Sequence, residues 1–358
     1  MERYINSFAK ENDIQIALEN GELLKPYVAY IEDADRIDWN SKSKKIDYST
    51  EYLTFNILSA GTINWAASDS SVTKTIEYKL NNNEWASITS NTGSSAPTIT
   101  VNSGDKLQFR GNNAQYANNS SSNSFGSSTA SFEVEGNIMS LIYGDDFKNN
   151  LTISSTYTFV SLFRDCTNLV SAENLVLPST TLADYCYQYM FQGCTSLTTA
   201  PKELPATILM PHCYANMFKG CTSLTTAPVL PATTLAYNCY GFMFYNCTSL
   251  TTVPSNLLPA TNLATACYGG MFQGCTSLTT APELPATTLA QMCYNSMFYG
   301  CKSLNYIKCL ATNNSARYCT LTWVNGVAST GTFVKNPSMS GWNTGNNGIP
   351  TNWAVQDA

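Results

Sequence analysis

Thirteen cysteines and one histidine are the residues of this 358-residue chain best suited to nucleophilic, redox or metal chemistry. Cysteine reacts as the thiolate, and zinc takes Cys and His in closely spaced sets. No C-x-x-C pair occurs, however, and His212 has no second histidine to join it. An odd number of thiols also precludes complete internal pairing. Among the carboxylates, Glu32, Asp33, Asp35 and Asp38 could gather around Ca²⁺, but the stretch lacks the Gly and the closing Glu of an EF-hand loop, so a solvated charged turn is the simpler reading. Asp145/Asp146 and Glu133/Glu135 could suggest a two-carboxylate glycosidase. Their adjacent and i,i+2 placement, outside any cleft-forming motif, points to exposed edges instead. No catalytic residue, metal ligand or cofactor set is expected, and the chain reads as a non-enzyme.

The cysteines belong to a repeat. Phe followed three residues later by Cys recurs at Phe163/Cys166, Phe191/Cys194, Phe218/Cys221, Phe244/Cys247, Phe272/Cys275 and Phe298/Cys301, in steps of 28, 27, 26, 28 and 26. A second series, Cys186, Cys213, Cys239, Cys267 and Cys293, precedes the next first-series Cys by eight residues, and Cys319 continues it. Matched positions in every unit make Cys194, Cys221, Cys247, Cys275 and Cys301 small apolar core fillers, reduced in a cytoplasmic protein.

Elements must position these residues. In TTLAYNCYGFMFYNC, Leu235, Cys239 and Met243 fall at i, i+4, i+8, and Ala236, Tyr240 and Phe244 follow one step along, which predicts a helix with one wide apolar face. Gly, Asn or Asp before each first-series Cys predicts its left-handed C-cap. The following C-T-S-L-T-T-A-P predicts a short strand closed by Pro. Strand–turn–helix in 26 to 28 residues lies in the range of leucine-rich repeats, so a curved solenoid of about six units is expected over 166–320. Strands about 4.8 Å apart would line its concave side, and helices roughly 8–10 Å apart its outer side. Residues 137–165 then form a linker and N-terminal cap. Residues 321–358, with Trp342 and Trp353, cap the last apolar rung.

Upstream, residues 51–136 carry seven short alternating runs, YLTFNIL, GTINW, KTIEYKL, EWASI, TITV, KLQFR and ASFEV, which predict an antiparallel, immunoglobulin-like β-sandwich. Residues 1–50 hold seven Lys/Arg and ten Asp/Glu, against five and four in 166–320, and read as a charged arm too poor in apolar residues to fold alone. The expected fold class is therefore mixed α and β. Only 12% of residues are charged, and a net charge of −6 would repel a phosphate backbone, which excludes nucleic acid as a main partner. Met1 to Tyr27 contain no apolar run of secretory length, and no stretch approaches a membrane span. Synthesis in the cytoplasm without membrane insertion is expected.

The units MFQGCTSLTTAP, MFKGCTSLTTAP and LPATTLA resemble the BspA-like leucine-rich repeat family of bacterial surface proteins over residues 160–320. The Ser/Thr-rich runs and the tail GTFVKNPSMSGW to GIPTNWAVQDA look like segments that accompany such repeats in proteins of gut Bacteroidales and their phages, and KPYVAYIEDADRIDWN is similar to openings of phage virion proteins. The resemblance implies a non-enzymatic virion protein of head- or tail-fibre type. Its arm, with Tyr27, Tyr30, Asp33, Asp35 and Trp39, would dock on other virion proteins, and its repeats would adhere to a host protein or glycan; a homo-oligomer fits this role. The alternative is a bacterial cell-surface adhesin, which should carry an export signal. Among otherwise near-identical units, Tyr185, Tyr189, Tyr237, Phe242, Tyr245 and Tyr299 vary on the predicted helix and its outer end, either as an adaptable aromatic recognition surface or as drift on a solvated face. The uniform Thr198, Thr225, Thr251 and Thr279 form the competing concave face. His212 aligns with Tyr185, Asn238, Ala266 and Met292, as a tolerant surface position would.

Overall fold

Alternation of apolar and polar residues places each of the seven upstream runs in a strand. In the computed structural model, which describes residues 47–66, 73–90, 96–116 and 124–358, these are β1 (Leu53–Ile57), β2 (Gly61–Asn64), β3 (Thr75–Leu80), β4 (Ala86–Thr89), β5 (Thr98–Val101), β6 (Lys106–Arg110) and β7 (Phe132–Asn137). Strands β2 and β5 pair by themselves. The others form a sheet in the order β4-β3-β6-β1-β7 that continues, by parallel pairing, into β8 (Leu169–Val176). Since β8 belongs to the first repeat, sheet and repeats share one core. Phe55 stacks on Phe132 at 4.6 Å, and Phe125 on Phe163 at 5.5 Å, which carries the aromatic cluster across the junction. Tyr48–Ala358 accordingly form one compact unit.

The repeats correct the expected fold class. The only α-helix among the described residues is α1 (Ser140–Tyr143), and strands dominate. Where helices were expected, the backbone turns left-handed every fourth residue. The positive-φ columns are Tyr157, Tyr185, His212, Asn238, Ala266, Met292 and Tyr318; then Ser161, Tyr189, Asn216, Phe242, Gly270, Ser296 and Thr322; then Asp165, Gly193, Gly220, Asn246, Gly274, Gly300 and Gly326. A spacing of i, i+4, i+8 fits a helix and a four-residue coil equally well, which is why the apolar pattern could not separate them. These columns also number seven units, one more than the Phe-Cys series suggests, because the last unit replaces the Phe with Val324.

Hydrogen bonds explain why the coil persists. Every second amide closes a local turn, as Gln188 N–H does to Tyr185 O at 3.1 Å. The intervening amides of Tyr185, Tyr187, Tyr189, Phe191 and Gly193 donate to the carbonyls of Pro211, Cys213, Ala215, Met217 and Lys219 in the next unit, at 2.8–3.1 Å. Each left-handed non-glycine residue costs about 1–2 kcal/mol, comparable with the roughly 1 kcal/mol net gained per bond. Burial of stacked rings supplies the remainder. Tyr187, Tyr214, Tyr240, Tyr268 and Tyr294 stack at 5.6–6.2 Å. Phe163, Phe191, Phe218, Phe244, Phe272 and Phe298 do so at 5.3–5.9 Å.

The opposite side of the units is not the expected continuous sheet. Between most units β-structure shrinks to isolated parallel bridges such as Glu203↔Val229 and Leu284↔Cys309. Proline accounts for this, because Pro201, Pro228, Pro254 and Pro282 each remove a ladder donor. Strands form where the aligned residue is Glu173, in β8, or Lys308, in β9 (Tyr306–Cys309). A leucine-rich-repeat solenoid with a strand-lined inner face and a helical outer face is thus not what this sequence builds. Neighbouring units are hydrogen-bonded on both sides. Downstream, β9, β10 (Thr332–Lys335) and β11 (Ala354–Asp357) form a parallel sheet in the order β11-β10-β9. Trp342 stacks on Trp323 of the seventh unit at 5.6 Å, and Trp353 donates Nε1–H to Ala328 O at 2.8 Å.

Candidate functional site

All thirteen cysteines are free and buried, and the first series has a role that spacing does not show. The thiols of Cys194, Cys221, Cys247, Cys275 and Cys301 donate to the carbonyls of Phe163, Phe191, Phe218, Phe244 and Phe272 in the preceding unit, at 3.0–3.1 Å. A Cys here is therefore a small core residue that also ties units together. Burial pushes the thiols of Cys166, Cys186, Cys239, Cys293, Cys301 and Cys309 up to about 12. Thiolate is then scarce at neutral pH. Titration with a thiol-specific disulfide reagent at pH 8 is expected to modify none of the thirteen in the folded protein and all of them in denaturant; several fast-reacting native thiols would contradict this burial.

The coil side presents the variable aromatics. The first left-handed column starts with rings: Tyr157 stacks on Tyr185 at 4.7 Å, and Tyr185 on His212 at 4.7 Å. Tyr237 meets His212 edge-on at 5.1 Å, and the Asn238 amide lies 2.9 Å from His212 Nδ1. His212 is thus a member of an aromatic row rather than an isolated surface residue. Partial burial lowers its pKa, against a smaller opposing pull from Asp184, and so favours the neutral ring. The row fades downstream into Ala266 and Met292.

A second cluster lies further along the coil. Phe242 and Tyr245 meet edge-on at 6.1 Å, and the Lys219 ammonium sits 5.2 Å from the Tyr245 ring; apart from this cluster, between the first two units, the Arg164 guanidinium sits 5.9 Å from the ring of Tyr189. Phe242 leans over Gly270, where a Cβ would come within 2.3 Å of its ring. Tyr237, Phe242 and Tyr299 are 52%, 37% and 41% exposed. The structure thus groups Tyr185 with Tyr237, and Phe242 with Tyr245; Tyr299 joins no ring pair among the described residues. Sequence reasoning missed Tyr157 and His212 as members of the row, although both align with Tyr185 once the units are superposed.

The uniform threonines are knitted into the stack on the other side. Thr225 donates both N–H and Oγ1–H to Thr198 O, at 3.1 and 3.2 Å. Tyr27, Tyr30, Asp33, Asp35 and Trp39, and the acidic run from Glu32 to Asp38, lie outside the described residues. Among the described residues, no three His, Cys, Asp or Glu side chains gather as a metal site would require, and no helix is long and apolar enough to cross a membrane. Asp145 and Asp146 are exposed, as expected, whereas Glu133 and Glu135 are half-buried on β7, which lies inside the sheet rather than at its edge, and Glu135 pairs with Lys106 at 3.7 Å. No protein-family model, curated protein or solved structure matches this chain.

The aromatic side offers area for binding. Stacked rings present edges and phenol hydroxyls, and Tyr offers amphipathic area with few rotatable bonds. His212 Nδ1 is engaged by Asn238.

Proposed function

We propose that this chain is a non-enzymatic adhesion protein, a phage virion appendage related to BspA-like surface proteins, which touches a host surface protein or glycan through the coil side of its repeats. The observation that carries this reading is the row Tyr157, Tyr185, His212 and Tyr237, where rings meet unit to unit on the side whose residues vary most. Exposed aromatic area that the core does not need is a common mark of a contact surface. In this reading residues 1–50, rich in both charge signs, attach the protein to other virion components.

Adhesion of the purified chain to intact host cells tests the reading. The double variant Tyr185→Ala, Tyr237→Ala is expected to lose at least about tenfold in affinity, as truncation of two aromatic anchors does at other interfaces. Unchanged adhesion by a folded double variant would refute a role for this row. Peptide mass spectrometry on density-purified particles tests the location. Stoichiometric peptides in the particles are expected, whereas peptides confined to the bacterial membrane fraction would mean a cell-surface adhesin.

A further inference from the structure

The upstream sheet holds a polar cleft that adhesion through the repeats does not use. It is open, about 530 Å³ in volume, and bordered by Thr75, Glu77, Ser87, Arg110, Asn112 and Asp145. Arg110 organises it. Its Nε donates to Glu77 Oε2 at 2.8 Å, and its Nη1 to both oxygens of Asp145 at 2.8 and 3.0 Å. Its guanidinium lies 4.3 Å over the Trp85 ring, and Tyr52 donates its hydroxyl to Asp145 at 2.7 Å. Two carboxylates are thereby fixed in position with unused lone pairs, next to the side chains of Thr75, Ser87 and Asn112, which can both donate and accept.

We propose that this cleft is a binding site for a neutral sugar, whose hydroxyls donate to Glu77 and Asp145 and accept from Ser87 and Asn112. Charge decides the class of ligand. An anion would meet two carboxylates, and the guanidinium between them is already committed to both. A metal cation would have to displace the guanidinium that lies between those carboxylates. A neutral polyol needs neither charge, and planar polar groups held rigid by one another lose little entropy on binding it. The volume suits a ligand of small-molecule size. The hydrogen bond from Tyr52, joined by those from Arg110, lowers the pKa of Asp145, so it accepts hydrogen bonds and does not serve as a general acid at neutral pH.

The test is calorimetric titration of the full chain with the methyl glycosides of glucose, galactose, mannose and N-acetylglucosamine, with glucuronate and sulfate as charged controls. At least one glycoside is expected to bind saturably. Ser87→Trp places a ring over the cleft from an exposed position directly opposite Glu77, and should abolish that binding. Glu77→Gln should weaken it roughly tenfold, the loss expected for a charge-assisted acceptor. Tyr185→Ala should leave it unchanged, which separates this site from the repeat surface. Absence of saturable binding by all four glycosides, preference for either anion, or binding that survives Ser87→Trp would overturn the proposal.

Discussion

Replacing Phe218 by alanine is expected to destabilise the folded chain by about 3–5 kcal/mol, the range for emptying a packed aromatic site. The ring is fully buried between Phe191 at 5.3 Å and Phe244 at 5.6 Å, so truncation leaves both neighbours facing a void. The Phe218 carbonyl also receives the thiol of Cys247 at 3.1 Å, and a relaxing backbone would loosen that tie. Phe218→Leu should cost less, because it retains much of the volume. Chemical denaturation followed by tryptophan fluorescence reads the difference. A shift below about 1 kcal/mol for Phe218→Ala would mean that the rings are not packed as a column.

Trp323→Ala should cost a similar amount but act from the end of the stack. Trp323 is fully buried, lies 6.1 Å from Tyr294 and 5.6 Å from Trp342, and donates Nε1–H to Gly348 O at 2.8 Å. It joins the seventh unit to the segment that covers it. In a stack whose units touch only their neighbours, losing a terminal joint frees the end before the middle. Hydrogen exchange is therefore expected to rise first across residues 318–358, with the central units still protected. Equal loss of protection in every unit would show that the segment does not act as a cap.

How far these features can be read from the sequence depends on what sets them. Period-two alternation locates β1 to β7 because half-buried strands leave no other pattern. The register of the repeat is equally legible, since Phe, Met and Cys recur at fixed separations. The coil is not, because its four-residue apolar period coincides with that of a helix face. Tyr185, Phe242 and Met292 give no hint of positive φ by residue type. A signal was nevertheless available: pooled over units, each left-handed column contains Asn or Gly, and Gly269-Gly270 inside a supposed helix argues against one. The strand side was misread for a simpler reason, the missing amide of Pro201, Pro228, Pro254 and Pro282. The aromatic row was half visible, in Tyr185 and Tyr237. The Arg110 cleft was invisible, because it joins Glu77, Arg110 and Asp145 from separate parts of the chain.

The substitution Ala266→Gly most directly tests the claim that the repeats are a left-handed coil bonded unit to unit. Ala266 has φ +56° in the middle of the segment. In a helix, Ala to Gly at an interior position costs about 1 kcal/mol. In the coil it relieves a left-handed alanine, an effect of about 1–2 kcal/mol that outweighs the entropy glycine adds to the unfolded chain. The measurement is the midpoint of urea unfolding for Ala266→Gly beside the parent chain. A higher midpoint at unchanged slope is predicted, and a lower one, by about 1 kcal/mol, would contradict the coil and restore the helix.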